Sequence, residues 1–217
     1  MPLHIPQAPA PALRSVLAAL RSSTAVHGAR TPAAVRAAHG TLHPELPLPV
    51  HEMTRVRRSD GPPRTRLTGW RFLLRPHGGE AAPAEPGGAG GHARACVGAA
   101  EAVLTADGWT FGAFGEGPYV TSTERALHQA EALSPGHPPY QPRLLSLPEL
   151  YMLTLWLHHD PTADPAEGVP APSDVLIPLA PAPPGIAAHQ PRRLETLLPL
   201  LAHRLVPAST AQLGAPA

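Results

Sequence analysis

Three side chains able to do chemistry stand together where the chain's longest apolar run ends. His158, His159 and Asp160 close the segment Arg143 to Asp160, RLLSLPELYMLTLWLHHD. Two imidazoles and a carboxylate make up most of the donor set of a zinc or non-haem iron site, and they also suit acid/base work. A metal site needs three protein ligands, so at least one more would come from a distant residue such as His51, His92 or Glu116, and the spacing selects none of them. On a strand, successive side chains point to opposite faces. Regular geometry therefore keeps His158 and His159 off one ion unless the strand frays at 158, in which case Asp160 could join one of them. There is no H-E-x-x-H motif, and with 13 His in the chain one adjacent pair is expected by chance.

A second constellation is RVRRSDGPPRTR, where Arg55, Arg57, Arg58, Arg64 and Arg66 surround an Asp-Gly-Pro-Pro turn. Such a cluster can grip phosphates or another polyanion. Nucleic-acid modules usually add aromatics or a recognition helix, and only Trp70 and Phe72 lie nearby, so a solvated charged loop is the competing reading.

The remaining chemical residues have structural explanations. Cys96 reads as a buried, inert thiol. Ser122 and Thr123 fall at a helix start, where hydroxyls are expected, and Ser146 beside Pro148 reads as a cap. No G-x-S-x-G occurs, and the absence of lysine removes P-loop and Schiff-base chemistry. The glycines at 112, 115 and 117 do not match G-x-G-x-x-G, and Glu116 would repel a phosphate. Glu124, His128 and Glu131 share a helical face as an exposed set.

The elements that must hold these residues follow from periodicity. All nine aromatics lie between Trp70 and Trp156, so the folded heart is expected to start near Leu67. Strands are expected at 70–75, 93–105, 109–114, 142–147, 150–158 (with a bend at Pro148) and 174–180. A helical reading of 147–159, starting from a Ser146/Glu149 capping box, competes with the last strand pair. Asp107-Gly108 suits a two-residue hairpin turn, a register that sets Leu104 across from Phe111 and Ala106 across from Trp109. Thr121 with Glu124 suggests a capping box for a helix at 122–133, and Leu194, Leu197, Leu198, Leu201 and Leu205 mark another at 192–205. Before residue 67, helical spacing of Leu13, Val16, Leu17 and Leu20 gives a helix around 10–22. Thr31 as cap, Pro32 and Gly40 delimit a second.

Composition bounds the rest. The chain has 217 residues, of which 31 are Pro and 19 Gly, and it has neither Lys nor Asn. That bias against AT-rich codons suggests a GC-rich bacterial genome. One cysteine suits a reducing cytoplasm, and no apolar run reaches membrane length, so a cytoplasmic protein with no membrane contact is expected. Residues 1–79 carry eleven Arg against three acids, a balance of +8, while residues 80–191 stand at −9. The basic part either meets a polyanion or packs on the acidic body.

The expected fold is α+β: a mostly antiparallel sheet of five or six strands with two helices on one face. An Arg/Pro-rich arm with two short helices (1–66) precedes the domain at 67–207. Residues 78–91 and 160–173 would be flexible insertions and 208–217 a disordered tail. The leading functional expectation is a non-enzymatic protein-binding or regulatory protein with no cofactor, meeting a protein partner or a second copy through its amino-terminal arm. The alternatives are a metal-dependent or acid/base enzyme centred on His158, His159 and Asp160, and an anionic-ligand or nucleic-acid binder using the arginine cluster.

Overall fold

One β-sheet organises the described chain. The computed structural model describes residues 3–38, 40, 42–55, 63–76, 96–133 and 139–204. It begins with helices α1 (Ala10–Arg21), α2 (Ser23–Val26) and α3 (Ala33–Ala37). Strands β1 (Leu42–Arg55), β2 (Arg64–Pro76), β3 (Gly98–Thr105) and β4 (Gly108–Gly115) follow, then helix α4 (Pro118–Ala132). Strands β5 (Gln141–Leu147) and β6 (Met152–His158) flank a 3-10 turn at Pro148–Leu150. β7 (Val175–Pro178), β8 (Arg192–Arg193) and helix α5 (Leu194–Arg204) complete the described chain.

The strands form one sheet in the order β4-β3-β2-β1-β5-β6-β7-β8. Every neighbouring pair is antiparallel except β1 and β5, which run parallel through Val50–Glu52 and Leu144–Ser146. The fold is α+β, but the sheet is mixed and has eight strands where five or six were expected.

The main strand missed is β1, which lies inside the stretch expected to be an arm. It carries prolines at 44, 47 and 49, residues that are disfavoured in a central strand. They are tolerated because the parallel pairing to β5 begins only at Val50, so Pro44 and Pro49 pair on the β2 side alone. A register shift between Glu45 and Leu48 takes Leu46 and Pro47 out of the ladder, with Leu46 at φ 47°. Residues 78–91 and the tail from 208 lie outside the described residues.

Both faces of the sheet are covered, which corrects the expectation of helices on one face. Alternation along β2 turns Leu73 to one face and Trp70, Phe72 and Leu74 to the other. Leu73 packs with Leu144, Leu155 and Ile177 under the α4 residues Val120, Ala126, Leu127 and Ala130. Trp70, Phe72 and Leu74 pack under Ala12, Val16 and Leu20 of α1. On that same second face Leu145, Trp156 and Leu176 meet Leu194, Leu197 and Leu201 of α5. Trp70 and Trp156 are 2% and 0% exposed. Burying one such ring contributes about 4 to 6 kcal/mol before conformational entropy is subtracted.

Local starts and turns also differ in detail. The hairpin between β3 and β4 turns on Ala106 and Asp107, so Leu104 faces Trp109 and Ala102 faces Phe111. Helix α4 starts a turn earlier than expected, after Gly117 at φ 98°, a conformation that favours glycine. Glu124 pairs with Arg75 at 2.7 Å instead of closing a capping box. Thr31 donates to the Ala25 carbonyl, and Pro32 takes the cap position of α3.

Candidate functional site

The polar centre of the molecule forms where β6 ends beside the start of β7. Leu157 pairs with Val175, so one step further His158 lies across from Asp174. The Asp174 side chain is fully buried and its two oxygens are shared out. Oδ2 accepts from His158 Nδ1 at 2.9 Å, Trp156 Nε1 at 2.8 Å and the Ala171 N–H at 2.9 Å. Oδ1 accepts from His159 Nδ1 at 2.8 Å and the His159 N–H at 3.1 Å. Burial pushes this carboxyl up, but the bonds from His158, Ala171, Trp156 and His159 outweigh it and hold it down at about 2. The ionised carboxylate can only accept, so both imidazoles donate through Nδ1–H and their Nε2 atoms face away from it. The rings lie edge to face with centroids 4.9 Å apart. The His159 side chain is 52% exposed, whereas that of His158 is 10% exposed.

Residues 160–173, expected to be a loose polar connection, are tied down by side chains of the sheet. Gln141 donates to the carbonyls of Pro161 and Ala163 at 3.1 and 2.8 Å. The Arg143 guanidinium, 4.9 Å from the Trp156 ring centroid, donates to Gln141 Oε1 and to the carbonyls of Asp164 and Glu167. Its burial lowers its pKa to about 10, so it stays cationic at neutral pH. His51 is fully buried, with its ring edge toward Trp156. Its Nε2–H donates to the Pro165 carbonyl at 2.9 Å, which leaves Nδ1 to accept from the Thr65 hydroxyl at 3.0 Å. Burial, with Arg143 and His158 nearby, lowers the His51 pKa to about 4 even though the Pro165 bond opposes it.

The sequence candidates therefore distribute unevenly. His158 and His159 come together because β6 ends at His158, which frees His159 from strand alternation. Asp160 does not join them: its Oδ1 accepts from the Thr162 hydroxyl and N–H, both at 2.8 Å, which lowers its pKa. Asp174 occupies the place considered for Asp160. His51 lies behind Trp156 and Glu116 is exposed ahead of α4, so neither supplies a third ligand; His92 lies outside the described residues. Arg64 and Arg66 are exposed on the same side of β2, and Arg66 lies 3.8 Å from Glu52. Arg55 ends β1 opposite Arg64, while Arg57 and Arg58 lie outside the described residues. Cys96 is half-buried and donates to the Gly98 carbonyl, and burial raises its pKa, which keeps it a thiol.

Two further features had no sequence signal. Ser122, 4% exposed, accepts from the Ala180 N–H at 2.7 Å and lies 3.1 Å from His189 Nε2. A hydroxyl so enclosed fastens α4 to the chain after β7 and is closed to a substrate. At the opposite end of β6, Tyr151 is held at φ 49°, ψ 41° with its side chain directed into solvent, 89% exposed. The Tyr119 hydroxyl, in the first turn of α4, lies 2.9 and 3.1 Å from the carbonyls of Tyr151 and Pro181 and so ties that turn to two loops at this corner.

Comparison with protein-family models, with curated proteins and with solved structures finds no match for the chain.

Proposed function

We propose that the protein is a non-enzymatic binding protein that meets a partner protein at the corner built around Tyr151. The observation that carries this reading is the exposed aromatic ring on a fixed backbone. Holding a non-glycine residue in the left-handed region costs about 1 to 2 kcal/mol. Here the same residue also leaves 89% of its surface in water. Neither feature helps the isolated fold, whereas a rigid exposed tyrosine is a good anchor for a protein contact. Glu116 and Glu149, both exposed on the loops joined here, favour a partner surface carrying Arg or Lys. The amino-terminal helices support this choice of surface indirectly, since α1 already buries Ala12, Val16 and Leu20 against its own sheet.

The test is a photo-crosslinking residue placed at position 151 and, separately, at the exposed Leu200 of α5, in cells expressing the full chain. The reading expects a discrete adduct from position 151 that is lost when Glu116 and Glu149 are both changed to Gln. Equal labelling from both positions, or none from 151, overturns it.

A further inference from the structure

The Asp174 centre has a geometry that goes beyond an internal clasp and is independent of the Tyr151 surface. Each carboxylate oxygen lies 2.8 or 2.9 Å from a different imidazole Nδ1. All three ligand groups can present an atom within 4.8 Å of the others. Zinc–nitrogen and zinc–oxygen bonds are about 2.0 to 2.2 Å long, so two ligand atoms on one ion sit roughly 3 Å apart at right angles and about 3.4 Å apart at the tetrahedral angle. The observed separations between Nδ1 and carboxylate oxygen, 2.9 and 2.8 Å, fall short of the tetrahedral edge by about half an ångström, a shift that the half-exposed His159 ring can supply. An ion taking up both Nδ1 atoms and the carboxylate would replace the two N–H···O bonds, and each neutral ring would move its proton to Nε2.

The surroundings supply the rest of such a site. Metal-bound carboxylates are normally held by outer hydrogen bonds. Asp174 has three that do not involve an imidazole: Trp156 Nε1, the Ala171 N–H and the His159 N–H. These donors fix the carboxylate while its side facing the rings exchanges a proton pair for a cation. His159, half-exposed, marks the side from which an ion and its remaining water ligands can enter. The donor set selects the metal class. Two imidazoles and one carboxylate without a thiolate suit Zn²⁺, Fe²⁺, Co²⁺ or Mn²⁺, and the two nitrogens disfavour Ca²⁺ and Mg²⁺. We infer that His158, His159 and Asp174 form a binding site for a divalent transition-metal ion, with Trp156 as a positioning residue through its bond to the carboxylate.

The test uses full-length protein without a histidine tag, treated with chelator and dialysed. Zn²⁺ is titrated calorimetrically, and Co²⁺ is followed by its visible ligand-field absorption. The inference expects one ion per chain and a Co²⁺ spectrum containing nitrogen ligands. His159→Ala, at a half-exposed position that the fold tolerates, should weaken binding at least tenfold. Trp156→Phe should weaken it by about tenfold while leaving the stoichiometry at one. His128→Ala, on the far helix α4, should change neither. Failure to bind either ion stoichiometrically overturns the site. So does binding that survives His159→Ala unchanged, or binding that is lost with His128→Ala.

Discussion

His51 makes the stability of this protein depend on pH over a defined window. Its ring is fully buried, and burial lowers its pKa from 6.5 to about 4. The unfolded chain therefore binds a proton between those values that the folded chain refuses. Stability should be constant above about pH 7.5, fall as pH drops through 6.5, and level off with respect to this group near pH 4. At pH 4.5 the loss is roughly 2 to 3 kcal/mol, approaching its limit of about 3 kcal/mol at lower pH. Asp174 acts in a separate window: with its folded pKa held down at about 2, its contribution is present above about pH 4 and is lost only as pH falls below that. Urea unfolding of the wild type and His51→Gln at pH 7.5, 6.5, 5.5 and 4.5 isolates the term. Gln can still donate to the Pro165 carbonyl and accept from Thr65, but it does not titrate. The wild-type stability should fall relative to that of the variant by roughly 2 to 3 kcal/mol between pH 7.5 and 4.5. Parallel curves, differing by less than about 0.5 kcal/mol in slope over that range, would refute the argument from burial.

Two other substitutions probe different links. Arg143→Leu removes the donors that serve Gln141 Oε1 and the Asp164 and Glu167 carbonyls. The loss should be on the order of 3 kcal/mol in urea unfolding, with faster amide exchange concentrated in residues 160–173. Tyr151→Gly should relax the left-handed turn and raise stability by up to about 1 kcal/mol in urea unfolding. A destabilised Gly variant would mean that Tyr151 contributes to the fold more than its exposure suggests.

The sequence allowed several strands to be read, since an apolar run such as Leu153 to Leu157 suits the interior of a sheet, but a helix at 147–159 competed with it, and the pairing with β5 and β7 decides for the strand. It hid β1, because prolines are tolerated where one side of a strand is unpaired and that condition depends on where β5 begins its pairing. The adjacency of His158 and His159 was legible, but strand alternation argued against their acting together unless the strand frays at 158, and their partner was not legible. Asp174 is separated from them by a Pro-rich loop, and only the register Leu157 to Val175 places it opposite His158. An acid directly before a strand, across from histidines that end the neighbouring strand, is the signal that could have found it. Buried side chains that bond to loop carbonyls, such as Arg143 and Gln141, carry no motif at all, because the partner is backbone and could belong to any sequence.

The parallel contact between β1 and β5 has a kinetic meaning. Strands β4 to β1 form one meander and β5 to β8 another, each built from neighbours in sequence, and the ladder joins them at only three registered pairs, from Val50 to Glu52. Val50 and Leu144 are about 90 residues apart, so joining them closes a loop whose entropic cost is about 4 kcal/mol, roughly 1 kcal/mol more than the longest connection between neighbouring antiparallel strands, Leu74 to Gly98, requires. Each meander can begin to pair early, since its strands are neighbours in sequence, whereas the junction closes the larger loop and is expected to follow. Until then β1 and β5 both present open edges, and in a crowded refolding mixture these are the strands through which two chains would join wrongly.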